Sequence, residues 1–262
     1  MNPDSKKAIL VVSFGTSYED TRKVTIDAIE KDIALAFPSC QVYRAWTSRM
    51  IISKLKKRDG TAIHTVTEAM EQMLSDGITD VVVQPTHVIN GIENDLMKAH
   101  ALTYQNRFHS ISFGNPLLTS EDDNRKMVEA VAHQFSDLGS DNVLVLMGHG
   151  TEHYANSVYA ALDYRFKDMG YSNIFMGTVE AYPPLESILR ATGNVCPQQI
   201  ILAPFMIVAG DHARNDLAGD APESWLSQFK KKGYQVNAVL KGLGEYPEVR
   251  QILIDHVQAA MV

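Results

Sequence analysis

Three polar residues in the second half of the chain, His149, Glu180 and His212, each follow an apolar run. Two imidazoles and one carboxylate form a borderline-soft ligand set that suits divalent cobalt, nickel, iron or zinc. Three protein ligands also leave coordination positions open, as a catalytic or transfer site requires. Polar residues end strands in every α/β protein, so the residues alone support a metal site and three unrelated polar side chains about equally.

The run that places His149 is V-L-V-L-M-G-H-G at 143–150, an apolar stretch that stops at a glycine-flanked histidine. Such a run is typical of a buried strand in a parallel sheet. Open α/β sheets bind their ligands just beyond the carboxyl ends of their strands. Gly148 and Gly150 leave the imidazole unobstructed and let the backbone turn there. We therefore expect His149, Glu180 and His212 to meet at one edge of a parallel sheet.

Strand-like runs alternate with helical runs along the chain, which predicts βαβ units with parallel pairing. The predicted strands cover 8–14, 41–46, 80–84, 110–113, 143–148, 173–179, 199–203 and 235–240. The predicted helices cover 19–36, 51–58, a stretch from 66 with Thr65 as N-cap, 94–105, 122–135, 154–167, 185–191, a stretch that includes Trp225, and 249–257.

Short motifs recur in the same order in the two halves of the chain. V-V-S-F-G-T at 11–16 parallels V-L-M-G-H-G-T at 145–151, with Phe14 at the position of His149. Q-P-T-H-V-I-N-G-I-E at 84–93 parallels A-P-F-M-I-V-A-G-D-H at 203–212, with Glu93 opposite His212. F-G-N-P at 113–116 parallels G-L-G-E-Y-P at 242–247.

These repeats predict an α/β protein of two similar lobes, each a mainly parallel sheet flanked by helices, with a cleft between them. The lobes are expected at 1–118 and 119–262, and the second lobe carries the metal site. The last helix, about 246–261, is expected to pack back on the first lobe.

The composition of the 262 residues excludes several classes of function. A formal net charge of −7 argues against general binding to nucleic acid or to an anionic membrane. No apolar run reaches the length of a membrane span, and the polar N-terminus does not fit a signal peptide. Cys40 and Cys196 have no C-x-x-C spacing and fit reduced thiols. We therefore expect a cytoplasmic protein.

Other candidate motifs give weaker signals. S-F-G-T-S at 13–17 ends a strand and opens a helix, so its backbone N–H groups could hold an anion, but it is no P-loop. His87 could face the cleft, and core packing is about as well supported. His153 is four residues from His149, but Gly150 disfavours a helix between them. No G-x-S-x-G nucleophile elbow is present.

The aspartates at 211, 216 and 220 lack the alternating spacing of a calcium loop. We interpret them as helix-capping and surface charges.

Seven motifs in order resemble the sirohydrochlorin cobaltochelatases of the anaerobic cobalamin pathway. These are class II chelatases, which share a two-lobed fold with bacterial ferrochelatase. The motifs are S-F-G-T-S, R-A-W-T-S-R-M-I, H-V-I-N-G-I-E, M-G-H-G, V-E-A-Y-P, L-A-P-F-M-I-V-A-G-D-H-A-R-N-D and G-L-G-E-Y-P, from residue 13 to residue 247.

The resemblance implies a role for each matched residue. It makes His149 both metal ligand and proton acceptor, and it assigns Glu180 and His212 to the metal. Glu93 matches a cleft-facing acid of the family, although Ile92 stands where the motif usually has aspartate. The substrate carries many carboxylates, for which we expect local donors. The candidates are Ser13 and Thr16 of the 13–17 loop, His87, Arg44, Arg49 and Arg214.

The implied activity is insertion of Co²⁺ into sirohydrochlorin, a lyase-class step of cobalamin and tetrapyrrole biosynthesis. Fe²⁺ or Ni²⁺ as the ion is an alternative, because ligand type does not separate these metals. A carrier of metal or tetrapyrrole without turnover is a second alternative. No tightly bound cofactor is expected. The expected partners are sirohydrochlorin and a divalent ion, with a homo-oligomer left open.

Overall fold

The computed structural model describes residues 6–261, which contain two parallel sheets of four strands each. The strands are β1 (Lys7–Ser13), β2 (Gln41–Trp46), β3 (Asp80–Pro85), β4 (Ser110–Phe113), β5 (Asn142–Gly148), β6 (Ile174–Thr178), β7 (Gln199–Pro204) and β8 (Gln235–Ala238). The strand order is β2-β1-β3-β4 in the first sheet and β6-β5-β7-β8 in the second, so the two sheets share one topology.

Helices connect the strands and flank both sheets. They are α1 (Glu19–Val24), α2 (Ile26–Ala36), α3 (Arg49–Asp59), α4 (Val66–Ser75), α5 (Ile92–Leu102), α6 (Glu121–Gln134), α7 (Ser157–Asp168), α8 (Leu185–Gly193), α9 (Trp225–Lys231) and α10 (Pro247–Ala260). The parallel sheets with flanking helices confirm the predicted α/β class. Across residues 6–261, every helix is too short or too polar to span a membrane.

The central strands β1 and β5 are buried on both faces, as their continuous apolar runs predict. In the first sheet, β1 packs against the apolar stripe of α4, which includes Met70 and Met73. In the second sheet, Val145 of β5 belongs to a core with Trp225 and Phe229 of α9. Each such side chain contributes about 1.5–3 kcal/mol by leaving water. These cores fix the strands whose carboxyl ends carry the candidate residues.

Contacts divide the chain into two compact units. One contains the residues up to Thr119 together with those from Val249 onward, and the other is Ser120–Glu248. The last helix, α10, therefore lies in the first unit. There, Arg250 Nε donates to Asp32 Oδ2 at 2.6 Å, and His256 Nδ1 lies 2.9 Å from the carbonyl oxygen of Asn115.

The registers of the two sheets match the repeat in the sequence. Val12 pairs with Pro85 in the first sheet, and Met147 pairs with Pro204 in the second. The two prolines are the ones that the motifs at 84–93 and 203–212 place opposite each other. The internal similarity is therefore a similarity of backbone structure as well as of sequence.

The predicted helix 19–36 is two helices, α1 and α2, which meet at Thr25. The Thr25 hydroxyl donates to the Thr21 carbonyl oxygen at 2.5 Å, and Thr25 has φ −118° and ψ −82°. A threonine hydroxyl that bonds to the carbonyl four residues earlier competes with the helix ladder and bends it. The prediction of one continuous helix is therefore wrong at this residue. The Thr65 cap of α4 is confirmed, with Glu68 completing a capping box.

Candidate metal centre

Three neighbouring strands deliver the predicted ligands to one edge of the second sheet. His149 directly follows β5, Glu180 lies two residues after β6, and His212 lies eight residues after β7. Because β5 is hydrogen-bonded to both β6 and β7, its carboxyl end lies between theirs. The sheet order thus explains how residues far apart in sequence come together.

Backbone contacts tie the His149 loop to the Glu180 loop. The N–H of Val179 donates to Gly148 O at 3.0 Å, and the N–H of Glu180 donates to His149 O at 2.9 Å. Gly150 has φ +88°, and a Cβ there would lie 2.8 Å from Ala181 N. Only glycine allows both this conformation and this approach without strain.

The side chains of His149, Glu180 and His212 form a group that could hold a metal ion. Their ligand atoms all lie within 4.8 Å of one another. His149 Nδ1 is 3.6 Å from Glu180 Oε2, and His212 Nε2 is 4.0 Å from Glu180 Oε1. Ligands on opposite sides of an ion with bonds of about 2.1 Å would be roughly 4.2 Å apart. The separations in this group are therefore close to those of ligands around one ion.

The group is accessible from solvent. The exposed fraction of the side chain is 44% for His149, 52% for Glu180 and 33% for His212. The two imidazole rings are nearly perpendicular, at 87°, with centroids 4.8 Å apart. An open site with three ligands can accept an ion and release it again, whereas a closed four-ligand site retains its metal.

Hydrogen bonds fix the same tautomer in both histidines. His149 Nδ1 is 2.8 Å from the Gly150 carbonyl oxygen, and His212 Nδ1 is 2.7 Å from Asp216 Oδ2. A carbonyl or carboxylate oxygen accepts but does not donate, so Nδ1 carries the hydrogen in each ring. In the neutral rings this leaves the lone pair on Nε2. In His212, Nε2 is the nitrogen that lies 4.0 Å from Glu180, whereas in His149 it is Nδ1 that lies 3.6 Å from Glu180.

Asp216 is a functional candidate that the sequence interpretation missed. It was expected to be a capping or surface charge, but its carboxylate accepts from the imidazole of His212. Asp216 lies in the π-helical turn Ala213–Leu217, and His212, four positions earlier, is the residue that precedes this turn. Gly219 lets this turn close, because a Cβ there would lie 2.3 Å from Asn215 O. The i, i+4 spacing of His212 and Asp216 was the available signal.

Asn156 also links the loops that carry His149 and Glu180. Its Oδ1 accepts from the Thr151 N–H at 3.1 Å, and its Nδ2 donates to Tyr182 O at 2.7 Å. No pattern in the sequence indicates this contact, because it depends on the pairing of two loops. His153 lies outside the metal group, and its Nδ1 accepts from the Ala155 N–H at 3.2 Å.

Four of the predicted substrate-binding residues, Ser13, Thr16, His87 and Glu93, lie in the first unit. The buried Ser13 hydroxyl accepts from Thr86 Oγ1 at 2.9 Å, and the Thr16 hydroxyl accepts from the Tyr18 N–H at 3.2 Å. Glu93 is half-buried in the first turn of α5.

The remaining predicted substrate contacts were arginines. Arg214 lies in the second unit, where its Nε donates to Ala209 O at 3.4 Å. Arg44 is bound by Glu30 and Asp27 through its whole guanidinium edge. The expectation that Arg44 receives a substrate carboxylate is therefore not supported, because two carboxylates of the chain already occupy it. Arg49 is exposed at the start of α3.

His87 differs from the other histidines in its surroundings. The residue as a whole is half-buried, but both ring nitrogens are buried and lack a hydrogen-bond partner among residues 6–261. Burial lowers the pKa of His87 to about 4, because the charged imidazolium loses its hydration. The ring is therefore neutral at physiological pH.

Two solved structures share the fold of this chain over nearly its whole length. The chain resembles SirB from Bacillus subtilis with Fe³⁺, with a TM-score of 0.67 and 14% identity over 97% of this chain and 95% of that one. It resembles CbiX, described as the terminal enzyme of sirohaem biosynthesis in denitrifying bacteria, with a TM-score of 0.56 and 16% identity over 97% and 100%. These two likenesses show that the chain shares the fold of both proteins.

Sequence comparison gives the family. The model of the family described as cobalt chelatase (CbiK) matches residues 7–262, and the chain belongs to this family. A sirohydrochlorin cobaltochelatase of Salmonella typhimurium is 38% identical over 98% of this chain and 97% of its own length. The sirohydrochlorin cobaltochelatase CbiKC of Nitratidesulfovibrio vulgaris is 32% identical over 99% and 92%. The resemblance in the motifs is thus confirmed.

Proposed function

We propose that this protein inserts Co²⁺ into sirohydrochlorin, with His149, Glu180 and His212 holding the ion before transfer. The observation that carries the proposal is the convergence of these three side chains at one sheet edge, with ligand atoms within 4.8 Å. Family membership supports the choice of cobalt, and two relatives with this activity match nearly the whole chain. Two imidazoles and a carboxylate suit Co²⁺.

The open ligand set favours transfer over storage. Nε2 of each histidine and the carboxylate of Glu180 supply three ligands, and water fills the other positions of the ion. The nitrogens of the macrocycle can replace these waters without first breaking a protein–metal bond. The protein ligands then leave one at a time as the ring takes the ion.

The reaction releases two protons from the pyrrole nitrogens of the free-base ring. A ring nitrogen of histidine cannot bind a metal ion and a proton with the same lone pair. His149 Nε2 therefore becomes a base only when the ion moves to the ring, which couples ion transfer to proton removal. Histidine is the side chain that most often accepts a proton in such steps near neutral pH. Glu180 and His212, freed in the same step, are acceptors for the second proton.

We propose that Glu93, Ser13, Thr16, His87 and Arg214 contact the tetrapyrrole. The positive charge of Arg214, two residues from His212, supports its pairing with a substrate carboxylate. Ser13 and Thr16 belong to a strand-to-helix loop, a common place for backbone N–H groups to hold anions. The buried nitrogens of His87 would gain a partner from a polar group of the ligand.

The proposal is tested with purified protein, excess sirohydrochlorin and Co²⁺, following the visible spectrum of the pigment. We expect many turnovers per protein molecule. His149→Ala should lower the rate at least about 100-fold, because it removes a ligand and the base together. His153→Ala is the matched control, since it removes a nearby imidazole outside the metal group, and its rate should stay close to that of the wild type.

Two results would contradict the proposal. Formation of one equivalent of bound pigment and no more would identify a carrier. A His149→Ala variant that turns over at the wild-type rate would remove His149 from the mechanism. Parallel reactions with Fe²⁺ and Ni²⁺ under the same conditions rank the three ions, and a faster reaction with either would reject cobalt as the preferred substrate.

A further inference from the structure

The carboxylate of Asp216 makes a contact that the proposed chemistry does not yet use. Its Oδ2 lies 2.7 Å from His212 Nδ1, within the range of a strong, charge-assisted hydrogen bond. The other ring nitrogen, Nε2, is the one that lies 4.0 Å from Glu180 Oε1. The two nitrogens of His212 are thus divided between the carboxylate of Asp216 and the metal group.

We propose that Asp216 is a positioning residue that holds His212 in the Nδ1–H tautomer and aims its Nε2 lone pair at the incoming ion. The inference rests on the proposed metal-binding role of His212 and adds a residue that acts through it. Histidine ligands commonly donate their second N–H to a carboxylate, which fixes the ring and raises its basicity. Nothing in the ligand group itself would hold the ring in this state.

The backbone supports the same arrangement. The π-helical turn Ala213–Leu217 includes Asp216 and follows directly after His212, and the N–H of Ala218 closes it by donating to Ala213 O at 3.2 Å. Single π-helical turns are frequent at functional sites. The next turn is closed by the N–H of Gly219, which donates to Asn215 O at 3.1 Å. The segment therefore fixes the Asp216 carboxylate beside His212 through main-chain contacts.

The two histidines of the group are held by acceptors of different strength. His149 Nδ1 lies against a neutral carbonyl oxygen, that of Gly150, whereas His212 Nδ1 lies against a carboxylate. Hydrogen bonds to a charged acceptor are roughly twice as strong as those between neutral groups. His212 is therefore the more firmly oriented of the two imidazoles.

The test compares Asp216→Asn with Asp220→Asn in the complete protein. Asparagine has the size of aspartate, so packing is kept. However, its NH₂ can turn toward Nδ1 and let the histidine proton move to Nε2. Asp220 is an exposed acid in the same segment, and its replacement removes the same charge. Co²⁺ affinity is measured by calorimetry, and the d–d absorption of bound Co²⁺ reports the ligands.

We expect Asp216→Asn to weaken Co²⁺ binding about 10- to 100-fold with an unchanged set of d–d bands. Asp220→Asn should stay within about twofold of the wild type, since an exposed charge is largely screened. In ¹⁵N NMR of the metal-free protein, His212 should be in the Nδ1–H form in the wild type and shift toward Nε2–H in Asp216→Asn.

Three outcomes would overturn the inference. Equal losses in the two variants would mean that the effect is general attraction of cations. Altered d–d bands in Asp216→Asn would make Asp216 a ligand instead of a positioning residue. Wild-type Co²⁺ affinity in Asp216→Asn would mean that the contact between Asp216 and His212 has no role in metal binding. None of these measurements uses sirohydrochlorin, so a protein that fails as a chelatase can still pass or fail this test.

Discussion

The carboxyl edges of the two sheets offer a direct comparison, because their loops follow the same backbone path. In the first sheet, the N–H of Ser48 after β2 donates to the carbonyl oxygen of Phe14 after β1, at 3.2 Å. In the second sheet, the N–H of Glu180 after β6 donates to the carbonyl oxygen of His149 after β5, at 2.9 Å. Phe14 thus corresponds to His149, and Ser48 corresponds to Glu180.

The third loop of each sheet corresponds in the same way. The N–H of Asp95 donates to Gly91 O, and the N–H of Arg214 donates to Gly210 O, both at 3.1 Å. After this shared turn, the first sheet continues into the regular helix α5, whereas the second widens into the π-helical turn Ala213–Leu217. The two segments differ where the second places Asp216 beside His212.

The comparison separates what the backbone provides from what the side chains provide. Both edges present three side chains at equivalent positions, but only the second presents two imidazoles and a carboxylate. At the corresponding positions the first edge has the apolar side chain of Phe14, the hydroxyl of Ser48, which caps α3, and the carboxylate of Glu93. One scaffold thus carries a group that could hold a metal ion in one unit and an N-cap serine at an equivalent position in the other, since sites are built on folds and not implied by them.

Among the substitutions that test this comparison, Glu180→Ala should have the largest effect on Co²⁺ affinity. Truncation removes the proposed anionic ligand, a carboxylate 3.6 Å from His149 Nδ1 and 4.0 Å from His212 Nε2, so Co²⁺ affinity should fall about 100-fold, or about 2.7 kcal/mol. Because Glu180 is half exposed, the midpoint of thermal unfolding without metal should change little. Calorimetric titration with Co²⁺ measures the affinity. Wild-type affinity in this variant would show that the carboxylate is not a ligand.

The glycines that follow Phe14 and His149 provide a matched pair of substitutions. Gly15 has φ +103° and Gly150 has φ +88°, and a Cβ would lie 2.5 Å from Trp46 Cε3 in the first case and 2.8 Å from Ala181 N in the second. Gly15→Ala and Gly150→Ala should each lower the free energy of unfolding by about 2–3 kcal/mol. Only Gly150→Ala should also weaken Co²⁺ binding. Urea unfolding and Co²⁺ titration measure the two effects, and equal loss of affinity in both variants would contradict the separation.

His87 and Met206 are equivalent residues of the two sheets, and they predict a difference in pH dependence. Their carbonyl oxygens accept from Leu117 and Leu243 respectively. Burial lowers the pKa of His87 to about 4, below the value of about 6.5 in the unfolded chain. The unfolded state therefore binds the proton first as the pH falls, and stability present above pH 6.5 is lost as the pH falls toward 4.

His87→Met places in the first sheet the residue type found at the equivalent position 206 of the second. This variant should not show the loss of stability at low pH. We expect about 2 kcal/mol less destabilisation between pH 7 and pH 4 than in the wild type. Urea unfolding across this range measures the slope, and His100→Met is the control because His100 is exposed on α5. Parallel pH profiles for the wild type and His87→Met would mean that the folded protein protonates His87 as easily as the unfolded chain does.

Local signals explain which parts of this comparison could be predicted from the sequence. Apolar runs mark the buried strands, and Thr65 with Glu68 marks the start of α4, because such patterns depend on nearby residues only. The apolar runs of β5 and β6 also mark where these strands end, and this predicted His149 and Glu180 at the carboxyl ends of parallel strands. The repeat at 84–93 and 203–212 predicted the correspondence that the strand registers show.

Features that depend on tertiary partners were beyond the sequence. The break at Thr25 follows from a hydroxyl that bonds to the backbone in a buried helix. Arg44 was expected to meet the substrate, but Glu30 and Asp27 bind it, and nothing near Arg44 in the sequence indicates that α2 supplies them. Asp216 is predicted as a surface charge because the sequence shows its i, i+4 spacing from His212 but not the π-helical turn that places its carboxylate beside the imidazole.

The smallest effect is expected at Ser48, the counterpart of Glu180. Its hydroxyl accepts from the Ile51 N–H at 3.4 Å as the N-cap of α3, so Ser48→Ala should lower the free energy of unfolding by about 0.5–1 kcal/mol. Co²⁺ affinity should not change. Ser48→Asp should restore the cap, because aspartate is also a good N-cap, and it places a carboxylate where the second sheet has Glu180. Urea unfolding and Co²⁺ titration measure both variants. The carboxylate in Ser48→Asp lies beside Phe14 and has no imidazole next to it. A second bound Co²⁺ in this variant would therefore show that carboxylates suffice to bind the ion. The histidines would then not be what distinguishes the two edges.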